Sequence, residues 1–227
     1  MGSLQMVRRV EVAALALALV SFVFTSAHAD DTNQTAKTSP DQPKIAAGQT
    51  WTYQNTDLIT KAPSDQTVWT ITEANDKTYT IKATFPNGSS ALDVYDLNSN
   101  GIQYNAFKYS PNDGSGMPDG AKPGTTWKRS FTWRNSDKGN GGKADANGKC
   151  IDNEKITVAA GDFDTLKCTV TLQYRASNAG PVIFQDEITV WYAPEVLRYA
   201  RREYVEKVRG QISLHKLEEL SDYDLSP

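Results

Sequence analysis

Between Leu166 and Arg175 the chain alternates without a break. Leu166, Cys168, Val170, Leu172 and Tyr174 share one parity, and Lys167, Thr169, Thr171, Gln173 and Arg175 share the other. A period of two over ten residues belongs to a half-buried strand and is incompatible with a helix. The same period, dense in β-branched and aromatic residues, runs through QTWTYQNT, TVWTITE, KTYTIKATF, ALDVYDL and TTWKRSFTWRN. No ten-residue segment from Gly48 onward holds a 3.6-residue period. VIFQDEITVWYAP, LRYARREYVEKV and QISLHKLEEL read as a closing three-strand meander, with turns at PEV and RG. The pattern predicts about eleven strands joined mostly by short turns. The expected class is therefore all-β, a single antiparallel, meander-rich sheet curled into an open barrel or sandwich. Two glycine-rich stretches, Tyr109–Gly124 and Ser136–Lys149, read as long mobile loops. They bracket a strand that carries Trp127, Phe131 and Trp133 on one face.

The N-terminal segment sets the compartment. Arg8 and Arg9 precede the apolar run Val12–Phe24, and Ala27-His28-Ala29 forms an A-x-A site. These are the parts of a secretory signal peptide over residues 1–29. The apolar run is shorter than the roughly 20 residues of a spanning helix. Residues 30–46 contain DDTNQTAKTSPDQPK, which is poor in apolar residues and reads as a disordered lead-in. The β-rich domain is expected over residues 47–222. No transmembrane segment is expected after signal cleavage. Periplasmic or secreted localisation in a bacterial envelope follows.

That compartment bears on the two cysteines, Cys150 and Cys168, which flank one turn. Exported cysteines usually pair, and both face inward by parity. A three-residue loop Ala159-Ala160-Gly161 would set Cys168 opposite Asp152, leaving the sulfurs diagonal. A disulfide then needs a bulge or a flexible approach to Cys150.

KITVAAGDFDTLKC resembles the hairpin signature of the TapB-like family of exported bacterial proteins, formerly a domain of unknown function. VWYAPEVLRYARREY resembles the family's closing hairpin, and AAGQTWTY its opening strand. The chain departs from the usual pattern at Ala159 and at Glu195, where the family has Gly. The resemblance implies a mostly antiparallel open β-barrel and export to the envelope. It implies no catalytic residues.

Functional chemistry is sparse. Signal cleavage would remove Arg8, Arg9 and Glu11, so 24 basic and 27 acidic residues become 22 and 26. That balance argues against a nucleic-acid partner. His215 is the single histidine outside the leader, and no G-x-S-x-G stretch exists. No metal or cofactor is expected, because the ligand sets of zinc, copper and calcium are all incomplete. The carboxylates Asp93, Asp96, Asp186 and Glu187 read as solvated sheet faces. The cationic patch of Arg198, Arg201 and Arg202 lies in LRYARREY. Parity puts Arg202 with Tyr204, and Arg201 with Tyr199. Weak ligand-binding candidates are Trp127, Phe131, Trp133, Arg198 and Arg202. The expectation is a non-catalytic envelope protein that binds a small apolar or lipid-like ligand, or an envelope partner protein. The alternatives are a carboxylate-dependent glycan hydrolase and a purely structural surface protein.

Overall fold

The computed structural model describes residues 44–175 and 181–226. The expected signal peptide, and the lead-in as far as residue 43, lie outside the described residues. The described chain forms twelve antiparallel strands: β1 (Thr50–Asp57), β2 (Ala62–Ala74), β3 (Thr78–Thr84), β4 (Ser90–Asp96), β5 (Gly101–Tyr104), β6 (Phe107–Ser110), β7 (Thr126–Asn135), β8 (Asn140–Val158), β9 (Gly161–Arg175), β10 (Val182–Ala193), β11 (Arg198–Val208) and β12 (Gln211–Asp224). Each strand pairs with its neighbour in sequence, and β1 also pairs with β12, from Thr50 opposite Asp224 to Asp57 opposite Lys216. The barrel is thus closed, where the sequence suggested an open one. Closure removes both sheet edges and satisfies their backbone groups.

Turn chemistry explains the connections. The Asn75 side chain accepts hydrogen bonds from the amides of Lys77 and Thr78, each at 2.9 Å, and folds β2 onto β3. The strand-like stretch IQYNAFKY is cut in two because Asn105 adopts a left-handed φ of 49°. Asparagine tolerates that region, so β5 and β6 form a hairpin and the strand count rises to twelve. Arg209 and Gly210 both have positive φ, as a two-residue hairpin turn requires.

The second glycine-rich stretch is a turn only as far as Gly139. Residues from Asn140 onward belong to β8, which runs for 19 residues. Glycine serves close packing there: a Cβ on Gly148 would sit 2.0 Å from the Trp127 ring, and one on Gly142 would sit 1.9 Å from the Arg175 carbonyl. The first stretch does remain largely a loop, between β6 and β7, but it is tied down. The Asp113 carboxylate accepts from the Gly101 amide (2.8 Å), the Ser115 amide (2.9 Å), the Ser115 hydroxyl (2.7 Å) and the Tyr104 hydroxyl (2.9 Å). Trp127 Nε1 donates to the Gly114 carbonyl at 3.0 Å.

Cys150 and Cys168 are bonded. The β8–β9 turn holds two residues, with Val158 opposite Gly161, and a bulge after Cys150 absorbs Ile151. The bulge sets Cys150 directly across from Cys168 and leaves the Ile151 side chain half exposed.

Most inward positions are aromatic or apolar, while outward ones such as Lys82, Lys128, Thr132, Lys143 and Lys149 are exposed and polar. No helix among the described residues is long and apolar enough to cross a membrane. Two buried clusters fill much of the interior. One gathers Trp51, Tyr53, Trp69, Ile71, Tyr79 and Ile81 with Trp191 and Leu220. The tip of the β8–β9 hairpin joins it through Ile156 and Phe163, and the Ala160 amide donates to the Leu220 carbonyl at 3.2 Å. The other cluster gathers Phe131, Ala144, Ala146, Val170 and Leu172.

Candidate functional site: a charged and aromatic barrel cavity

Eight strands close around an interior that side chains can fill, and the bore widens with strand number. Twelve strands leave space, and the space is a half-open cavity of about 1460 Å³. The loop after β6 contributes Met117 to Pro123 to its lining, and Met117 Sδ lies 3.3 Å from Cys168 Sγ.

An aromatic ribbon runs along the strands. Tyr79 stacks on Tyr95 at 5.4 Å; Tyr95, Tyr104, Tyr109, Phe131 and Tyr174 then follow in edge-to-face steps of 5.4–5.9 Å. Such pairs are favourable beyond their area burial, by about 0.5–1.5 kcal/mol each. Burial holds the hydroxyls of Tyr95, Tyr104 and Tyr174 well above their ordinary pKa, so they stay protonated and can donate.

Charges line the same space. Arg202 Nε donates to Glu218 Oε2 at 2.5 Å, and Lys216 Nζ lies 2.5 Å from Glu218 Oε1. The Tyr199 hydroxyl donates to Glu218 Oε2 at 3.0 Å. Burial alone would raise the Glu218 pKa, but the charges of Arg202 and Lys216 and their hydrogen bonds outweigh it and hold the carboxyl at about 2. Asp93 and Asp186 behave oppositely. Burial raises each to about 6, with the nearby charges of Arg198 and Arg202 opposing the rise at Asp93. Asp186 Oδ1 is buried without a hydrogen-bond partner.

Arg198 follows Leu197, which is left-handed at φ 58° after the single 3-10 turn Pro194–Val196. Its guanidinium lies 4.3 Å from the Trp69 ring, 5.2 Å from Tyr199, 5.5 Å from Tyr95 and 5.7 Å from Trp51. The rings are themselves fixed: Trp51 Nε1 donates to the Val196 carbonyl at 2.8 Å, and the Tyr53 hydroxyl to the Tyr199 carbonyl at 2.9 Å.

Of the residues singled out in the sequence, Arg198 and Arg202 line the cavity. Phe131 is buried in the second core cluster, with Trp127 and Trp133 packed against it, and none of the three belongs to the cavity wall. Strand β11 also differs from simple parity. Trp191 pairs with Arg201 while Tyr192 pairs with Tyr199, so Ala200 is an inserted residue. Tyr199 therefore shares the lumen with Arg202, while Arg201 pairs with Glu219 at 2.7 Å. Asp93 and Asp186, assigned by sequence to solvated faces, line the cavity. The parity of Asp186 with Ile188, Val190 and Tyr192 carried that signal. Asp93 carried none, because Ala91 and Tyr95 on its own parity and Leu92 and Val94 on the other make the strand apolar on both. Among the described residues no group of three or more His, Cys, Asp or Glu is placed to hold a metal ion.

No known family's sequence profile matches this chain, and no curated protein matches it. Solved structures do. A "putative lipoprotein" from Parabacteroides distasonis ATCC 8503 aligns with a TM-score of 0.50 at 15% identity, covering 80% of this chain and 97% of that one. A "putative exported protein with YmcC-like fold" from Bacteroides fragilis NCTC 9343 gives 0.49 at 14% identity, with the same coverage. The "hypothetical lipoprotein YmcC" from Escherichia coli (K12) gives 0.47 at 11%, covering 79% and 84%. At 15% identity the first of these shows a shared barrel fold.

Proposed function

We propose that this chain is an exported, non-catalytic envelope protein that carries a small amphipathic molecule inside its barrel. The carrying observation is the cavity of about 1460 Å³, walled by tyrosines and Trp69 and studded with Arg198, Arg202, Asp93 and Asp186. Drug-sized ligands occupy pockets of roughly 300–1,000 Å³, so the space suffices for one such ligand with water. On this reading residues 1–29 are removed on export, residues 30–46 form a lead-in to the barrel, and the protein resides in the periplasm or outside the cell. The hairpin motifs support placing it beside the TapB-like proteins. The first test is native mass spectrometry of protein purified from its own host. A retained small molecule, and quenching of tryptophan fluorescence saturating near one amphiphile per chain, are expected. A bare mass together with a flat titration would overturn the reading.

A second reading rests on Asp93 and Asp186. Burial raises both cavity carboxyls to about 6, which suits the general acid of a glycan hydrolase. Release of reducing ends from envelope polysaccharide, lost in both Asp93→Asn and Asp186→Asn, would favour it over carriage.

A further inference from the structure

Arg198 is 6% exposed and lines the cavity, yet among the described residues it makes no ion pair. Its aromatic neighbours occupy positions over the guanidinium, where cation–π attraction holds it. A ring face carries no net charge, so these contacts do not replace an anion on its five N–H donors. The Tyr53 hydroxyl offers it one hydrogen bond, but Nε is buried with no partner. Arg202, four positions further along β11, shows the contrast. Its Nε is bonded to Glu218, which is nearly fully buried. A buried cation without a bonded anion is costly, and the planar guanidinium fork suits a carboxylate or a phosphate.

We infer that the cavity ligand bears an anionic head, a carboxylate or a phosphate monoester, that docks on Arg198, with an apolar tail lying along the tyrosine-lined wall. This rests on the cavity reading above and adds the ligand's polarity and orientation. An uncharged apolar ligand would leave Arg198 dehydrated and unbonded. A bare anion would leave the wall formed by Tyr95, Tyr104, Tyr174 and Ile188 without a partner.

The test uses the exported, processed protein and four probes: laurate, dodecyl phosphate and dodecanol, which share a twelve-carbon chain and are kept below aggregation, and inorganic phosphate. Tryptophan fluorescence reports binding, since Trp51 and Trp69 flank Arg198. Laurate or dodecyl phosphate should bind at least tenfold more tightly than dodecanol, and the better of the two identifies the head as carboxylate or phosphate. Arg198→Met should abolish that preference, and Arg198→Lys should restore part of it. Equal affinity for dodecanol and both charged amphiphiles would overturn the anion site but leave the cavity reading standing. Failure of all three amphiphiles would remove both. Inorganic phosphate binding as tightly as dodecyl phosphate would mark a small-anion site and overturn the assignment of an amphiphile. Should Arg198→Met not fold, the wild-type comparison and Arg198→Lys still decide.

Discussion

Glu218 and Asp186 are both buried carboxylates, yet they titrate about four units apart, near 2 and near 6. The difference is contact. Two cations bond Glu218, whereas Asp186 has one oxygen with no partner. A stability profile follows. The folded pKa values of Asp93 and Asp186 exceed the ordinary 3.8. The native state therefore holds these protons more tightly than the unfolded chain. Their contribution is full below about pH 4 and is lost as pH rises through 6, up to about 3 kcal/mol each. Glu218 acts with the opposite sign: its contribution is present above 4.5 and lost toward pH 2. Urea unfolding should thus show wild-type stability falling between pH 4.5 and 7. Asp93→Asn and Asp186→Asn should each flatten that fall. An unchanged slope in both variants would contradict the burial argument.

At the scale of elements, β8 is the long strand that the glycines permit rather than interrupt. Gly148 faces Trp127, and Trp127 in turn tethers the loop before it through Gly114. Gly148→Val should cost about 3 kcal/mol or more, because the new side chain must displace an indole. Thermal melts would show the loss, and faster proteolysis within Pro111–Thr125 would show that the loop had been released. The β8–β9 pair also carries the disulfide across a separation of 18 residues. Removing it in Cys150→Ala/Cys168→Ala should cost about 3 kcal/mol. The barrel should still fold, since two core clusters remain. Circular dichroism that loses its β signal at 25 °C would refute this.

For the whole molecule, closure of β1 on β12 makes twelve strands one cooperative object. Stability should rest on the closed ladder and on whatever fills the bore, without any metal. Chelator treatment should leave the melting temperature unchanged. Saturation with a cavity ligand at 100 times its Kd should add about 2.7 kcal/mol, read as an upward shift of the same single transition. A melt that splits into two transitions would argue against a single closed barrel.

The strand class, the meander order and the Arg209-Gly210 turn were all legible in the sequence, because period two and turn residues are local properties of the chain. So was the pairing of Cys150 with Cys168, although the register it needs was not. That register depends on a bulge at Ile151, which no residue type announces. The same holds at Ala200, where one inserted residue brings Tyr199 to the side of Arg202. Reading Asn140–Lys149 as a loop failed because glycine marks a turn and a close approach alike, and only the position of Trp127 distinguishes them. The cavity itself is not a sequence property. Asp93, Arg198 and Glu218 look like surface charges until closure folds their faces inward, and a strand's inside is defined only once its last neighbour is in place.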